Sequence, residues 1–380
     1  MFENKSCRVD FRPKKRTVTV HLKGPAVTGL PKAIIEVSNK LAQDYGTKRK
    51  WTMGWDNRIF TVNTDDAGVA ALRADPLVAA VKESPKVRIA DYETYHNTPV
   101  QPYNPAGVNI DWGPKKINAG YAWGKGIFGQ GVKLCVIDSG IQKAHPAFWN
   151  EGFTPYKGGY DFVNDTSDPE DDMDHGTWCC GIIAEQHNNL PGSFKGIAPG
   201  VDLYVCKVLD SAGSGYAADV AAGIDWAREH GLHIVSMSLG QQEEDSILEA
   251  ACIAAAAAGL LLIASAGNDG PDTYPVGYPG KYDSVIAVAA TDFHNRVADW
   301  SSRGSEVDVA APGVAIVGPL AGFTYTDIAI PGSDWLYFCD SGTSAACPVV
   351  AAAAALIKSW YPAVTAAQIR TYLQNNAKDL

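Results

Sequence analysis

The sequence lacks several features that would have pointed to a membrane, a secretory or a metal protein. It has no run of about 18 or more consecutive apolar residues, so it predicts no membrane-spanning helix. The first residues, MFENKSCRVDFRPKKR, lack the apolar core of a signal peptide. We therefore expect either an intracellular protein or a secreted one whose leader has been removed. None of the eight cysteines forms a C-x-x-C pair, so no zinc site is expected.

What remains is the composition of a globular protein with an uneven charge distribution. The chain has 380 residues, 46% hydrophobic and 19% charged, enough for one large core and a smaller domain. Its net charge of −10 divides into +7 for residues 1–92 (17 Lys and Arg against 10 Asp and Glu) and −17 for the remainder (15 against 32). Two parts of opposite sign attract each other. Because the basic residues are scattered, we expect no nucleic-acid partner.

The first part of the chain predicts a small α+β domain. Strand-like runs at 17–22, 57–62 and 77–81 alternate with helical patterns at 31–45 and 66–75, an order that fits a ferredoxin-like sandwich. Residues 93–111 have no periodicity and are rich in Pro, Asn and Gly, so they predict a linker.

From residue 112 onward the pattern predicts a three-layer α/β domain with a largely parallel sheet between helices. Short continuous apolar runs are typical of strands that are covered on both faces. They are 132–137, 203–208, 234–237, 260–264 and 285–289, with intervening helices at 217–229 and 246–258. The sequence Gly124-Lys125-Gly126-Ile127-Phe128-Gly129 matches a dinucleotide-binding pattern, but it precedes a strand instead of following one, so it predicts a loop.

Four polar residues are placed by their local sequence at one edge of this sheet. Asp138 and Asn268 each follow a predicted strand, and His175 opens a helix whose small residues allow close packing. Ser344 lies where a loop enters an apolar helix, and Pro348 predicts that this helix begins only just before it. Each residue alone has an ordinary structural explanation, such as a turn or an N-cap. Together, in the order Asp, His, Asn, Ser, they supply the groups that nucleophilic acyl transfer requires.

The chain resembles the subtilisin-like serine proteases (subtilases) from about residue 112 to its end. The matching stretches are VIDSGI, DHGTWCCG, GIAPGVDLYVCKVL, VSMSLG, ASAGNDG, VGYPGKYDSVIAVAATD, VDVAAPG and SGTSAACP. Residues 17–89 are similar, more weakly, to the inhibitory propeptide of that family. The resemblance implies three segments: a propeptide at 1–92 that inhibits and assists folding, a linker with the processing region at 93–111, and a catalytic domain at 112–380.

The resemblance also implies roles for individual residues. Asp138, His175 and Ser344 would form the catalytic triad, and Asn268 with the Ser344 backbone N–H would form the oxyanion hole. The residues implied to bind substrate are Ser238, Leu239, Gly240, Ala266, Gly267 and Gly277, where the missing side chain of Gly277 leaves the pocket for the P1 residue (the residue before the cleaved bond) open. Cys179 matches the proteinase K-like branch, in which a thiol lies near the catalytic histidine.

The resemblance requires no cofactor for catalysis, but it allows structural calcium. The strong calcium site of bacterial members has an Asp at the position of Ala147, so this site is expected to be lost. A weaker site would use Asp308 and the carbonyls of Gly280 and Tyr282, which offer oxygen ligands.

We therefore expect a monomeric serine endopeptidase made as a zymogen, which cuts itself between about residues 90 and 96. Its partners would be polypeptide substrates with a large apolar or aromatic P1 residue, and its own propeptide as inhibitor. The alternative is a catalytically silent pseudoprotease that binds or regulates other proteins and retains its propeptide. A fold relative with an acidic base, as in sedolisins, is disfavoured by His175.

Overall fold

The computed structural model describes residues 16–23, 39–41, 43, 48–53, 59–89, 112–186, 195–270, 276–321 and 337–380. The chain divides into two compact units, residues 1–84 and residues 85–380. The predicted linker and most of the predicted helix at 31–45 lie outside the described residues.

The N-terminal unit contains a four-stranded antiparallel sheet in the order β2-β3-β1-β4. Its described elements are β1 (Arg16–Leu22), β2 (Lys48–Thr52), β3 (Ile59–Thr64), α1 (Asp66–Ala74) and β4 (Val78–Glu83). Helix α1 begins after Asp65, whose carboxylate accepts the N–H of Gly68, and its apolar residues pack on the sheet. The three predicted strands and the second helix are therefore present, and β2 is an additional strand.

The second unit is built on a seven-stranded parallel sheet in the order β14-β13-β12-β10-β6-β8-β7. Its strands are β6 (Lys133–Asp138), β7 (Tyr156–Asp161), β8 (Asp202–Lys207), β10 (Ile234–Met237), β12 (Leu261–Ser265), β13 (Val285–Thr291) and β14 (Val307–Pro312). All five predicted strands are confirmed, and the two edge strands β7 and β14 are additional.

Helices cover both faces of this sheet, which gives the predicted three layers. The helices of the unit are α2 (Trp112–Lys116), α3 (Ala119–Trp123), α4 (His175–Ala184), α5 (Ala217–Glu229), α6 (Ser246–Ala257), α7 (Thr343–Trp360) and α8 (Ala366–Asn375), with a 3₁₀ turn at Pro146–Phe148. Leu134 and Val136 of β6 belong to the core formed with α4 and α7. Ile137 points the other way and contacts α5, where a Cβ on Gly223 would lie 3.3 Å from its Cδ1. Gly124–Gly129 forms turns, as predicted.

Two smaller sheets complete the unit. Strands β5 (Lys86–Ile89), β9 (Ser214–Tyr216) and β11 (Leu239–Gly240) form one antiparallel sheet, with β5 in its centre. Strands β15 (Ile316–Pro319) and β16 (Tyr337–Asp340) form an antiparallel pair. Strand β5 thus belongs to the second compact unit, although it precedes the predicted linker.

Helix α7 is long and apolar enough to cross a membrane by length and composition, although it contains no uninterrupted apolar run of that length. It is 72% buried inside the protein and packs against the parallel sheet. We therefore interpret it as the central core helix of this unit.

Candidate active site

The fold brings Asp138, His175, Asn268 and Ser344 to the carboxyl edge of the parallel sheet. Asp138 is the last residue of β6, and Asn268 follows β12 by three residues. His175 is the first residue of α4, and Ser344 is the second residue of α7. In a parallel sheet this edge is where ligands bind.

Asp138 and His175 form a direct, buried hydrogen bond. The Asp138 Oδ1 lies 2.8 Å from His175 Nδ1 and also accepts the N–H of Ser139 at 2.7 Å. The Asp138 Oδ2 is buried without a hydrogen-bond partner in the described part of the chain. A buried carboxylate with an unsatisfied oxygen favours a positive charge beside it. This pair is therefore suited to stabilise an imidazolium.

The pKa of His175 follows from the same surroundings. Burial by itself lowers the pKa, but the carboxylate of Asp138, followed by those of Asp171 and Asp340, raises it further than burial lowers it. The net shift is upward from the ordinary value for histidine. The imidazole therefore accepts a proton readily, as a general base must.

Asp171 and Ser139 connect the loop after β6 to the start of α4. The Asp171 carboxylate accepts Ser139 Oγ at 2.9 Å, Thr177 Oγ1 at 2.6 Å and the N–H of Thr177 at 2.9 Å. Ser139 Oγ in turn accepts the N–H of Gly176 at 2.8 Å. A Cβ on Gly176 would lie 2.2 Å from the Gly140 carbonyl oxygen, so only glycine permits this approach. The close packing predicted for this helix is confirmed here.

Pro348 corrects the prediction for the helix that carries Ser344. Helix α7 begins at Thr343, so Pro348 lies in its second turn instead of its first. Proline has no N–H, which leaves the carbonyl of Ser344, four residues earlier, without its helical donor. Ser238 Oγ donates to this carbonyl at 2.9 Å, and Cys179 Sγ lies 3.7 Å from it. The helix thus tolerates the proline because a neighbouring hydroxyl replaces the missing bond.

Two hydrogen-bond donors border a common space beside Ser344. The Asn268 Oδ1 accepts the N–H of Thr343 at 2.9 Å and Thr343 Oγ1 at 2.8 Å, which fixes the orientation of the side-chain amide. A Cβ built on Gly342 would lie 3.4 Å from Asn268 Nδ2 and 3.5 Å from the backbone nitrogen of Ser344. The missing side chain of Gly342 thus leaves room where both nitrogens can reach an oxygen.

Cys179 lies one turn after His175 on α4, as predicted. Its sulfur is 3.9 Å from His175 Nδ1 and contacts the Ser344 carbonyl. Asp138, His175 and Cys179 offer three potential metal-ligating atoms within 4.8 Å of one another. Burial, followed by the charge of Asp138, raises the pKa of the Cys179 thiol well above its ordinary value, so the thiol is neutral at physiological pH.

The bulky side chain of Trp178 is accommodated by the β15–β16 pair. Its ring packs 5.6 Å from that of Phe338, and its Nε1 donates to the Ile316 carbonyl at 3.3 Å. A Cβ on Gly318 would lie 2.1 Å from Trp178 Cδ1, so this bulky residue depends on a glycine opposite it.

A cleft of about 670 Å³ is lined by Asn268 and by most of the predicted substrate-binding residues. Gly240, Ala266, Gly267 and Gly277 line it, and a Cβ on Gly277 would lie 3.1 Å from the Gln241 carbonyl oxygen. Ser238 and Leu239 belong to the neighbouring backbone. Ser238 is buried, and its hydroxyl and carbonyl both contact Ser344.

Strand β5 forms part of the wall of this cleft as an extended peptide. Ile89 pairs with Leu239, Arg88 pairs with both Gly240 and Ser214, and the N–H of Ile89 donates to the Gly213 carbonyl at 3.1 Å. The side chains of Val87 and Ile89 are 0% and 3% exposed, whereas that of Arg88 is exposed. The cleft edges therefore bind a peptide backbone between two strands and bury alternate side chains.

At the predicted weak calcium position, the carboxylate of Asp308 is already paired with the positively charged side chain of Arg370. The Asp308 Oδ1 accepts Arg370 Nη2 at 2.7 Å and Gln374 Nε2 at 2.7 Å, and its Oδ2 accepts the N–H of Ala287 at 2.9 Å. Arg370 Nη1 also donates to the Asp283 carbonyl, within the loop that contains Gly280 and Tyr282. This arrangement does not fit an additional cation, because Arg370 would have to leave. Calcium binding at this position stays a prediction.

Some of these contacts could not have been predicted from the motifs. Asp171 is one of several acidic residues before His175, and the sequence did not distinguish it from the solvated ones. The interaction between Ser238 and Ser344 needed knowledge of the carbonyl that Pro348 frees. A usable indication was Lys207, the one charged residue within the predicted apolar run at 203–208.

Comparison with known proteins identifies the family. Residues 129–380 match the model of the subtilase family. The chain is 37% identical over 306 residues to a thermostable alkaline protease of Halalkalibacterium halodurans, covering 80% of this chain and 74% of that protein. It is 38% identical over 316 residues to subtilisin E of Bacillus subtilis, covering 82% and 74%, and 36% identical over 272 residues to subtilisin Savinase of Lederbergia lenta, covering 72% and 93%. The chain therefore belongs to the subtilase family and is a serine endopeptidase.

Proposed function

We propose that Asp138, His175 and Ser344 form the catalytic triad of this protease. His175 Nε2 accepts the Ser344 Oγ proton while Oγ attacks the peptide carbonyl carbon, whose oxygen becomes negatively charged. The tetrahedral intermediate collapses, the C–N bond breaks, and the leaving amine takes the proton from His175. Water, activated by the same imidazole, then attacks the acyl-enzyme and releases the acid. Asp138 stabilises the imidazolium that forms in each step.

In this proposal, Asn268 Nδ2 and the Ser344 N–H stabilise the oxyanion. The observation that supports the assignment most strongly is that these two donors converge on the space left open by Gly342. In this structure Ser344 Oγ donates to the Ser238 carbonyl at 3.4 Å, so its proton has to be redirected to His175 when substrate binds. Such hydrogen bonds often become aligned only in the complex.

The triad is tested by substitution and by covalent labelling. Ser344→Ala and His175→Ala are expected to abolish peptide hydrolysis, and Ser344→Ala to abolish labelling by a fluorophosphonate. Asn268→Ala is expected to lower kcat by about 10²–10³ with little change in KM, a magnitude that comes from subtilisin, a member of the same family. Ser359→Ala, at the other end of α7, is the matched control. Near-wild-type turnover of Ser344→Ala would refute the assignment.

The comparisons do not support the pseudoprotease alternative. The relatives are named as proteases and subtilisins. The described site also retains the four side chains that the chemistry needs. Fluorophosphonate labelling of the wild type decides between the two, because a silent relative would not react.

We propose that substrates bind as extended strands in the place that β5 occupies. The backbone pairing to β9 and β11 is independent of sequence, while the buried positions of Val87 and Ile89 select apolar side chains. Glycine at 240, 267 and 277 leaves space for a large apolar or aromatic P1 residue. A peptide library measures this preference, and a strict requirement for Arg or Lys at P1 would contradict it.

We propose further that the protease is a zymogen that cuts itself just after β5. Residues 90–111, which include the predicted cleavage window, lie outside the described residues. This window contains two aromatic residues that suit the predicted P1 preference, Tyr92 and Tyr95. Ile89 pairs with Leu239, and the preceding residue, Ser238, accepts the hydrogen bond of the Ser344 hydroxyl. Continuing the antiparallel register by one residue favours the bond between residues 90 and 91. Residue 90 is a small alanine, so at this bond the pairing of β5, and not the preference for a large P1 residue, would select the cleavage site.

Mass spectrometry of the purified wild type beside Ser344→Ala tests this bond. We expect a new N-terminus at Asp91 in the wild type and an intact chain in the variant. An N-terminus at Glu93 or His96 would instead favour Tyr92 or Tyr95 as P1 and would refute the register argument.

The N-terminal unit would then act as an inhibitor and folding aid. Residues 112–380 number 269, whereas the alignment covers 82% of this chain, about 312 residues, so it includes at least about 40 residues before 112. The relatives thus share part of the preceding region.

Because residues 1–92 carry +7 and the remainder −17, we expect their association rate to fall as salt rises. Separately expressed residues 1–92, added to the mature enzyme, test this; an inhibition rate indifferent to salt would contradict it.

A further inference from the structure

Lys207 is a buried lysine whose ammonium contacts three loops around the proposed active site. It is the last residue of β8, it lies opposite Asp138 in the sheet register, and it is 1% exposed. Its Nζ donates to the Ser139 carbonyl at 2.6 Å, to Asp172 Oδ1 at 2.5 Å and to the Leu209 carbonyl at 2.8 Å. An ammonium has three N–H donors, and each has one acceptor here.

Two of these acceptors belong to the segments that carry the proposed base and its carboxylate. Ser139 directly follows Asp138, and its carbonyl is one of the groups that Lys207 holds. Asp172 precedes His175 by three residues. Its carboxylate is half exposed, whereas the side chain of Lys207 is buried. The ammonium therefore fixes the distance between the end of β6 and the segment that leads into α4, across which Asp138 and His175 form their hydrogen bond.

The third acceptor belongs to the loop that shapes the substrate-binding edge. Leu209 donates its N–H to the Asp138 carbonyl at 3.3 Å. It also forms an isolated antiparallel β-bridge with Gly215, in the middle of β9. The turn that follows ends in Gly213, whose carbonyl accepts the N–H of Ile89 in the bound strand. The same ammonium thus connects the base–carboxylate pair to the edge that binds the peptide backbone.

We propose that Lys207 is a positioning residue that sets the Asp138–His175 geometry and the β9 edge together. This inference rests on the proposed triad. A buried lysine is costly unless it is fully hydrogen-bonded and paired, and here one carboxylate and two carbonyls meet that condition. No neutral side chain of similar length offers three donors, so a substitution releases all three loops at once.

The test compares Lys207→Met with Lys143→Met as a matched control. Lys143 is also paired with acidic residues of the loop before His175, Asp168 and Glu170, but only through exposed side chains. For an extended peptide amide, Lys207→Met is expected to lower kcat/KM on the order of 10²-fold, through a lower kcat and a higher KM. For an ester of a single amino acid, which does not reach β9, only kcat is expected to fall. Lys143→Met is expected to keep wild-type values.

A second pair of variants keeps the inference testable if Lys207→Met does not fold. Asp172→Ala removes only the link to the segment before His175, so kcat is expected to fall by about 10-fold with KM unchanged. Asp172→Asn retains an acceptor oxygen and is expected to restore kcat to near the wild-type value.

The outcomes separate this inference from the proposed triad. Enzyme concentrations are determined by fluorophosphonate titration of Ser344. Wild-type kcat and KM in both Lys207→Met and Asp172→Ala would then overturn the role of Lys207 and leave the triad intact. A wild type that neither labels nor hydrolyses would instead overturn the triad.

Discussion

Gly342→Ala is the sharpest test of the proposed oxyanion site, because it adds one methyl group and removes none of the catalytic groups. The new Cβ would lie 3.4 Å from Asn268 Nδ2, 3.5 Å from the Ser344 nitrogen and 3.6 Å from Ser344 Cβ. These are ordinary contact distances, so the methyl fits without displacing its neighbours. The backbone of Gly342 is extended (φ 169°), which alanine adopts readily. We therefore expect the variant to fold with unchanged or slightly raised stability.

Its effect on catalysis should be large. An oxyanion needs donors at about 2.7–3.1 Å, and a methyl carbon in contact with both nitrogens keeps an oxygen from approaching them. Loss of one such donor costs about 10²–10³ in kcat in subtilisin, the relative from which the magnitude is taken, so blocking both should cost at least 10². KM should change little, because the strand pairing at β9 and β11 is untouched.

The assay measures kcat and KM for a peptide amide, with thermal unfolding as the check on folding. Gly120→Ala is the matched control, since no atom lies within 4 Å of a Cβ at that position. Adding Asn268→Ala to Gly342→Ala should cost little more than Gly342→Ala alone, because the methyl has already removed access to that amide. Wild-type kcat in folded Gly342→Ala would refute the proposed oxyanion site.

Two further predictions concern the histidine and the thiol beside it. Burial lowers the pKa of His175, and Asp138 and then Asp340 are among the charges that raise it, so Asp340→Asn should lower the pKa. The base must be neutral, so the acid limb of kcat/KM should move to lower pH; an unmoved limb would contradict this. Mercurials should inhibit through Cys179, whose sulfur lies 3.9 Å from His175 Nδ1. Cys179→Ala should remove most of that sensitivity, and equal protection by Cys180→Ala would disprove the geometric reason.

The parallel sheet was predictable because its inner strands are continuous apolar runs. Strands β6, β8, β10, β12 and β13 are covered by helices on both faces, so apolar residues are favoured at most of their positions and the sequence shows it directly. The edge strand β7 (Tyr156–Asp161) contains Gly158-Gly159, where a Cβ on Gly159 would lie 1.9 Å from the Val205 carbonyl oxygen. The close backbone approach therefore requires glycine at position 159, and the two glycines conceal the strand from a hydrophobicity pattern.

The sequence predicted which residues the candidate site contains, but not the contacts and hydrogen bonds among them. Local rules placed Asp138, His175 and Asn268 at the correct ends of their strands and helix. The same kind of rule failed for Pro348, because it considered only the helix and not the Ser238 hydroxyl that replaces the lost donor. The contacts of Lys207 join three loops that are distant in sequence, so no local pattern contains them.

The position of β5 has a consequence for how activity would appear over time. Cutting the bond after residue 90 removes a covalent link but none of the backbone hydrogen bonds that hold Lys86–Ile89 between β9 and β11. The freshly cut enzyme is then a complex with its own product. While the chain is intact the strand competes at an effective concentration of about millimolar; after the cut it competes only at the concentration of the protein itself. Dilution, rather than cleavage, would therefore open the cleft. Concentrated preparations should stay inactive even after every chain has been cut.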